Sequence, residues 1–317
     1  MTRILVTGAS GFIGSNLVRK ICKLNKDDLS IFVREKTNLW RINDLRSNVD
    51  SHVVDLANFE EVRKKIKNIK PEIVYHCATY GVYPTQKDND EIIRTNITGS
   101  MNLMRSLIDA NDLKKIINLG SFFEYGPKPG LVAETDPTEP VTLYSISKLT
   151  QTLIAKYFYL ENNLPTVTLR LFGTYGRYEN PGRLVPDIML ALLRKKTLNL
   201  SSPNPKRDFI YIDDVINAFI SASKISNVGE IINIGSGKSY RVGEIVEMVS
   251  RITNTDLKVI YNEKNQREFD KMNNKGFASI KKAKRIISWS PRYSIKDGLN
   301  ETYNWYKENL QVYETKS

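Results

Sequence analysis

The sequence predicts an α/β fold, a doubly wound parallel sheet with a smaller mixed α/β C-terminal part. Three observations predict it. Short β-branched runs alternate with amphipathic helical stretches through the first half of the chain, the pattern of βαβ units. A glycine-rich turn joins the first of these strands to the first helix. Beyond Phe172 the alternation gives way to loops, with Gly173, Gly176, Pro181, Gly182 and Pro186 close together and Pro203 and Pro205 following.

The elements follow in order. Ile4-Leu5-Val6-Thr7 is a strand, and Ile13 to Leu24 a helix. Ile31 to Arg34 and His52 to Asp55 are strands, followed by a lysine-rich helix near 58–68. Ile73 to Cys77 is the next strand, with a helix from about Asp90 to Ala110 behind it. Then come the strand Ile116 to Leu119, a helix from about Thr142 to Glu161 and the strand Thr166 to Arg170. Runs this continuously apolar belong to a sheet covered on both faces. In the second half a helix near 184–195, a strand near 231–235, a helix from Val242 to Thr253, a strand from Leu257 to Tyr261 and a final helix pair from about Ser279 are expected.

Length and composition narrow the class. A chain of 317 residues is long for one core, so two parts sharing a cleft are expected. It can bury roughly 75% of its unfolded surface and needs no disulfide or structural metal. Hydrophobic residues at 41% and charged residues at 26% exclude disordered, collagen-like and membrane classes. Cys22 and Cys77 form no zinc pattern and no disulfide framework. No apolar stretch approaches the ~20 residues of a membrane helix, and the chain enters a strand at once, leaving no room for a signal peptide. A cytoplasmic protein is expected. Lys+Arg 47 against Asp+Glu 35 gives +12, which suits nucleic acid or a small polyphosphorylated anion. Much of the excess is lysine on helices that also carry acids, such as Glu60 to Lys65, and reads as a solvated face. Neither nucleic acid nor a membrane is expected as a partner.

The turn after the first strand is Thr7-Gly8-Ala9-Ser10-Gly11-Phe12-Ile13-Gly14. Glycines three apart let the backbone approach a pyrophosphate, while N–H groups around Phe12 and Ile13 and the helix dipole face the anion. Gly14 removes a side chain where helix and strand pack closest. The spacing G-x-x-G-x-x-G predicts a Rossmann-like dinucleotide-binding domain over 1–173, to which the strand near 231–235 returns. The second strand ends in Arg34-Glu35. An arginine there fits a ribose 2′-phosphate and a carboxylate fits a free hydroxyl, so NADP is preferred and NAD is the alternative. Asp55 and Leu56 are placed to meet the adenine, and Cys77-Ala78-Thr79 to line the cofactor path.

Thr142-Leu143-Tyr144-Ser145-Ile146-Ser147-Lys148 sets a tyrosine and a lysine four apart, on one helix face. A phenol with a pKa of about 10 is a poor acid–base catalyst at neutral pH, and a nearby ammonium pulls it down. Lys148 also suits the nicotinamide ribose hydroxyls. Ser121, at the C-terminal end of a strand, is placed to hydrogen-bond a substrate carbonyl.

In this order, these features resemble the short-chain dehydrogenase/reductase family in its extended form, of the nucleotide-sugar epimerase and 4-ketoreductase type. Asn96 in Asn96-Ile97-Thr98-Gly99 matches the family's Asn-x-x-Gly segment and joins the cofactor-binding set. Tyr125-Gly126, the segment Arg207 to Val215, and Trp289-Ser290-Pro291 with Gly298-Leu299 match its later signatures. The resemblance implies a nucleotide diphosphate sugar as partner, with residues 174–317 mostly binding it. It gives Arg207 and Arg267 to the diphosphate, for which guanidinium forks are suited. It gives Arg183 and Leu184 to a loop that closes over the base.

Dehydratases of this family place an acidic pair directly after the catalytic hydroxyl; Phe122-Phe123 stand there instead and transfer no proton. What remains is reduction of a 4-keto-(6-deoxy) sugar, with Tyr144 as proton donor, or epimerisation at C4. Arg34, and a likeness of Ser121 to Gly126 and Leu39 to Ile42 to reductases of bacterial surface-polysaccharide biosynthesis, favour the reductase. Gly173 departs from the asparagine many relatives carry against the diphosphate. A non-catalytic dinucleotide sensor or scaffold is the alternative from another class, disfavoured by the intact Ser121, Tyr144 and Lys148. No metal is expected, since His52 and His76 lack ligand-spaced partners. Asp213-Asp214 are expected to cap the helix that follows. The helices near 90–110 and 142–161 match those that relatives pair in a four-helix bundle, so a homodimer is expected, with Ile146, Leu149, Leu153, Ile154 and Phe158 serving interface or core.

Overall fold

The computed structural model describes residues 1–24, 27–262 and 276–314. Seven strands form one parallel sheet: β1 Thr2–Thr7, β2 Asp27–Val33, β3 Asp50–Val53, β4 Ile73–His76, β5 Lys115–Ser121, β6 Thr166–Leu171 and β7 Glu230–Ile234. Their order is β7-β6-β5-β4-β1-β2-β3. The connections carry α1 Phe12–Leu24, α2 Phe59–Ile69, α3 Gly99–Leu107, α4 Leu143–Asn162, α5 Leu184–Leu193 and α6 Ile212–Ala222.

Strand periodicity sorts the apolar side chains to two faces. Ile4, Val6, Ile117 and Leu119 point to one side, where Leu17, Val18, Val215 and Phe219 of α1 and α6 cover them. Leu5, Val74 and Ile116 point to the other, against Val62, Leu103, Ile154 and Phe158 of α2, α3 and α4. The direction of winding reverses between β1 and β4. A crevice opens there at the C-terminal ends of the strands, where such sheets bind ligands.

The rest of the chain adds short strand pairs and helices. Phe209–Tyr211 pairs with Gly173–Tyr175 and Val259–Tyr261 with Leu198–Leu200, both parallel, whereas Lys206–Arg207 pairs antiparallel with Tyr240–Arg241. Gly173 has a packing reason. A Cβ there would lie 2.5 Å from the Asp208 carbonyl oxygen, which its own N–H bonds at 2.9 Å, so the site has no room for asparagine.

Two expectations need correction. The helix near 90–110 is broken into Asn89–Ile92, a wider π-helical turn Ile93–Thr98, and α3. The wide turn buries Asn96, whose side chain accepts from Tyr80 N at 2.8 Å and donates to Tyr80 O at 2.9 Å and Ser147 Oγ at 2.8 Å. Asp213 and Asp214 lie inside the first turn of α6 and do not cap it. Asp213 pairs with Arg177, and Asp214 accepts the backbone N–H groups of Arg292 and Tyr293 at 2.9 and 3.1 Å.

His76 is fully buried between β1 and α3. The Ser100 hydroxyl donates to Asn96 O at 2.6 Å, so it accepts from His76 Nε2–H at 2.9 Å. The Thr7 hydroxyl then donates to Nδ1 at 2.7 Å. This neutral tautomer is locked, and burial, aided by Lys148, lowers the imidazole pKa to about 3. Between pH 6.5 and that value the unfolded chain holds a proton that the folded chain refuses, so stability falls as pH falls. The slope from this residue is about 1.4 kcal/mol per pH unit. Urea titrations from pH 7 to 4 should show it in the native chain and lack it in His76→Gln; parallel profiles would refute the assignment.

Candidate active site

The turn between β1 and α1 is held tight. Gly8 has φ 68°, and a Cβ on it would sit 2.5 Å from Ala78 N and 2.6 Å from the Cys77 carbonyl. Gly11 N donates to Gly8 O at 3.0 Å. A Cβ on Gly14 would lie 2.2 Å from Gly8 O. Bare backbone therefore faces a cleft of about 870 Å³ that runs from this turn to Tyr144. Phe12, Ile13, Asp55, Leu56 and Ala78 line it, and a dinucleotide fits this cradle.

Arg34 lies at the mouth and pairs with Glu91, while Asp55 pairs with Arg94. Both guanidinium groups are more than half exposed. Asn96 acts on the cleft indirectly, by fixing Tyr80 in the loop after β4.

At the inner end, Ser121 closes β5 and Tyr144 opens α4. Thr142 caps that helix, accepting from Ser145 N at 3.1 Å while Ser145 Oγ accepts from Thr142 N at 2.8 Å. This fixes Tyr144 at the cleft wall, with the Ser121 hydroxyl beside its own. Burial pushes the Tyr144 phenol up to about 12, against the lowering effects of Ser121 and Arg183. Lys148 is fully buried one turn on; its Nζ donates to Leu119 O at 2.6 Å and to Gln151 Oε1. Burial lowers its pKa to about 8 against the pull of Glu124. The expectation that Lys148 makes the phenol more acidic finds no support in this geometry: the ammonium is directed to the Leu119 carbonyl and the Gln151 amide, and burial outweighs what Ser121 and Arg183 do to the phenol.

Phe122 and Phe123 wall the cleft next to Ser121, with ring centroids 4.3 Å apart. Phe122 stacks on Phe172 at 5.3 Å, and Phe123 meets Tyr144 edge-on at 6.0 Å. Arg183 also lines the cleft, near enough to act on the Tyr144 phenol, and approaches Glu179 at 3.6 Å; Leu184 begins α5. Arg207 borders a small hollow shared with Phe122, Phe172 and Gly173. Arg267 lies outside the described residues.

Sequence reasoning missed three groups here. Arg41, buried by the loop, donates to Ser10 O at 3.0 Å and Tyr178 O at 2.7 Å, tying the glycine turn to the 177–183 segment. Glu179 lines the cleft at 3% exposure, and burial raises its carboxyl to about 8. Its carbonyl accepts the hydroxyls of Tyr306 and Tyr313 at 2.8 and 2.9 Å. The third is Glu124, which accepts from Ser121 N at 2.7 Å. Arg41 and Glu124 sit in stretches noted for their likeness to reductases, but nothing in them assigned either residue a role, and Glu179 lay in no noted stretch.

A model of the NAD dependent epimerase/dehydratase family matches residues 4–235. The chain belongs to that family. Within the NAD-dependent epimerase/dehydratase family, and so among the extended short-chain dehydrogenases/reductases, it is similar along nearly its whole length to enzymes of nucleotide sugars. The UDP-glucuronate 4-epimerase of Thermodesulfobacterium geofontis is 27% identical, covering 97% of both chains. The crystal structure of UDP-glucuronic acid 4-epimerase from Bacillus cereus, in complex with UDP-glucuronic acid and NAD, superposes with a TM-score of 0.86 at 26% identity, covering 96% of this chain and 99% of that one. The UDP-N-acetyl-alpha-D-glucosaminuronate decarboxylase of Bacillus cytotoxicus is 26% identical over 96% of this chain and 98% of its own. These likenesses favour the epimerase over the reductase that the sequence favoured. Among the described residues, no helix is long and apolar enough to cross a membrane.

Proposed function

We propose that this protein is a nucleotide-sugar 4-epimerase that binds a UDP-sugar between the parts formed by residues 1–173 and 174–317. The observation that carries the reading is the pairing of Ser121 with Tyr144 in the cleft, beside two phenylalanines that transfer no proton. One proton-transferring hydroxyl suits a reaction that moves one hydride and one proton at a single carbon, in both directions. When bound, the nicotinamide cofactor supplies the hydride acceptor and donor. Tyr144 takes the proton of the sugar hydroxyl and returns it to the carbonyl oxygen, Ser121 orients that oxygen, and Lys148 holds the ribose hydroxyls. Arg183, Arg207 and Arg267 hold the diphosphate and base side of the substrate. The relatives' names and NAD complexes support NAD and a UDP-sugar.

The test is turnover of UDP-glucose and UDP-glucuronic acid with the reduced-cofactor absorbance followed. A C4-inverted product without net change in absorbance is expected. Stoichiometric consumption of NADPH with a 4-keto sugar nucleotide would give the 4-ketoreductase instead, and silence with every sugar nucleotide would defeat both. The reductase has specific observations behind it: a Tyr144 held protonated is a ready acid and a poor base, and Arg34 directly follows β2. On that reading Arg34 leaves Glu91 for a ribose 2′-phosphate. Arg34→Ala should then weaken NADPH about tenfold and NADH hardly at all. Equal losses would end its role as a phosphate reader.

A cytoplasmic homodimer belongs to the same proposal. Ile146, Leu153, Tyr157 and Leu160 leave an exposed apolar stripe on α4, whereas Ile154 and Phe158 are core. The stripe suits the two-helix half of a four-helix bundle, and a monomer mass by light scattering would refute it.

A further inference from the structure

We propose that Glu124 is a positioning residue for the reaction, a buried carboxylate that, anchored by Arg170, fixes the backbone of Ser121 and serves as counter-charge to Lys148. This rests on the roles given above to Ser121 and Lys148.

Both members of the pair are buried, Glu124 at 0% and Arg170 at 4% exposure. Arg170 Nε, from β6, donates to one carboxylate oxygen at 2.7 Å, and Ser121 N donates to the other at 2.7 Å. The Ser121 hydroxyl accepts from Phe123 N, closing a capping box on the turn 122–125. Arg170 lies 4.6 Å over the Tyr125 ring, whose hydroxyl donates to Asn233 at 2.8 Å, so the guanidinium is held from a second side. The pair fills the space beneath Gly120, where a Cβ would come within 3.0 Å of Glu124 Oε1 and 3.1 Å of Arg170 Cγ.

A buried ion pair is a weak device for stability, since apolar residues of equal volume commonly serve the fold as well. What it provides here is placement. Residues 119–124 carry the carbonyl that receives the Lys148 ammonium, the N–H that Glu124 accepts, and the serine itself. Phe122 and Phe123 turn toward the cleft, and the acid that follows them turns inward.

The charges settle its second role. Arg170 and Lys148 face Glu124, and Tyr144 also feels its charge, which raises the phenol. Glu124 and Cys77 face Lys148, His76 is near enough to feel it, and Tyr144 stands one turn away. His76 is held neutral, and burial raises the Cys77 thiol to about 12. Burial raises the Glu124 carboxyl, but the Arg170 guanidinium and the Ser121 N–H, each bonded to it at 2.7 Å, favour its charged form, and that charge opposes the loss of the Lys148 proton.

The test compares Glu124→Gln and the double variant Glu124→Gln/Arg170→Met with the native chain. Without the counter-charge, Lys148 gives up its proton at lower pH. The alkaline limb of kcat against pH should move down by about one unit, with kcat at neutral pH falling about tenfold and KM little changed. The double variant replaces the pair by neutral groups of similar volume and should fold even if the single variant does not. A folded double variant with the native limb and native kcat would overturn the proposal. Should the native chain turn over no sugar nucleotide, the functional reading fails, and NAD affinity against pH decides this one: a lowered midpoint in the variants supports it, and coincident curves overturn it.

Discussion

Tyr144→Phe should bind dinucleotide as the native chain does and lose about 10³-fold in turnover, some 4 kcal/mol of barrier. The variant keeps the ring, so the edge-on contact with Phe123 at 6.0 Å and the seat on capped α4 survive. Only the hydroxyl beside Ser121 goes, and the cleft wall at that point offers phenylalanine rings in its place. A carbonyl reduced there has no proton donor, and a sugar hydroxyl oxidised there has no acceptor. Nucleotide-sugar turnover and cofactor titration on one preparation check the expectation. Retention of more than a tenth of native turnover would move the acid elsewhere, to Ser121 or Glu179. The pH dependence has a sign: with the phenol near 12, its protonated form prevails at neutral pH, so the direction that delivers a proton should be favoured until the solution approaches that range.

The second large effect belongs to the glycine turn. Gly14→Ala puts a methyl group 2.2 Å from Gly8 O and 2.9 Å from Ala9 Cα, backbone on both sides, with no side chain able to give way. Either α1 backs off from β1 or the turn shifts, and both displace the N–H groups that face the anion. Overpacking of this kind costs about 1–3 kcal/mol. We expect a lower melting temperature and a dinucleotide affinity reduced about 100-fold, near 2.7 kcal/mol. Gly130→Ala is the control: unlike Gly14 it has positive φ, at 74°, but no atom lies within 4 Å of its Cβ position, so it bears backbone strain without touching the cleft. Native affinity in Gly14→Ala would show that the turn does not set the cofactor's seat.

Much of the scaffold was legible because period and punctuation coincide. Ile4 to Thr7, a glycine turn and an amphipathic helix admit one arrangement, and β1 and α1 follow it. The helix near 90–110 was misread because its apolar spacing is helical throughout, while the widening at Ile93–Thr98 arises from Asn96 bonding Tyr80 and Ser147 across space. The spacing of Tyr144 and Lys148, read together with the glycine turn and Ser121, drew attention to that helix face; how burial shifts each group was not legible, since it depends on how deeply each lies. Glu124 and Arg170 are 46 residues apart and join only through the pairing of β5 with β6, and nothing local marks either. Gly173 read as a lost donor and is a packing necessity, imposed by the Asp208 carbonyl just before the neighbouring strand Phe209–Tyr211.

The two hydroxyls that converge on the Glu179 carbonyl wire the far end of the molecule to its reaction chamber. Tyr306 and Tyr313, stacked 5.0 Å apart, belong to the last turns of the described chain, yet they hold the segment that carries Glu179 and Arg183. Whatever displaces those last described turns pulls on the cleft wall that Glu179 and Arg183 form. A fusion partner placed there would report itself as altered substrate preference before any loss of folding.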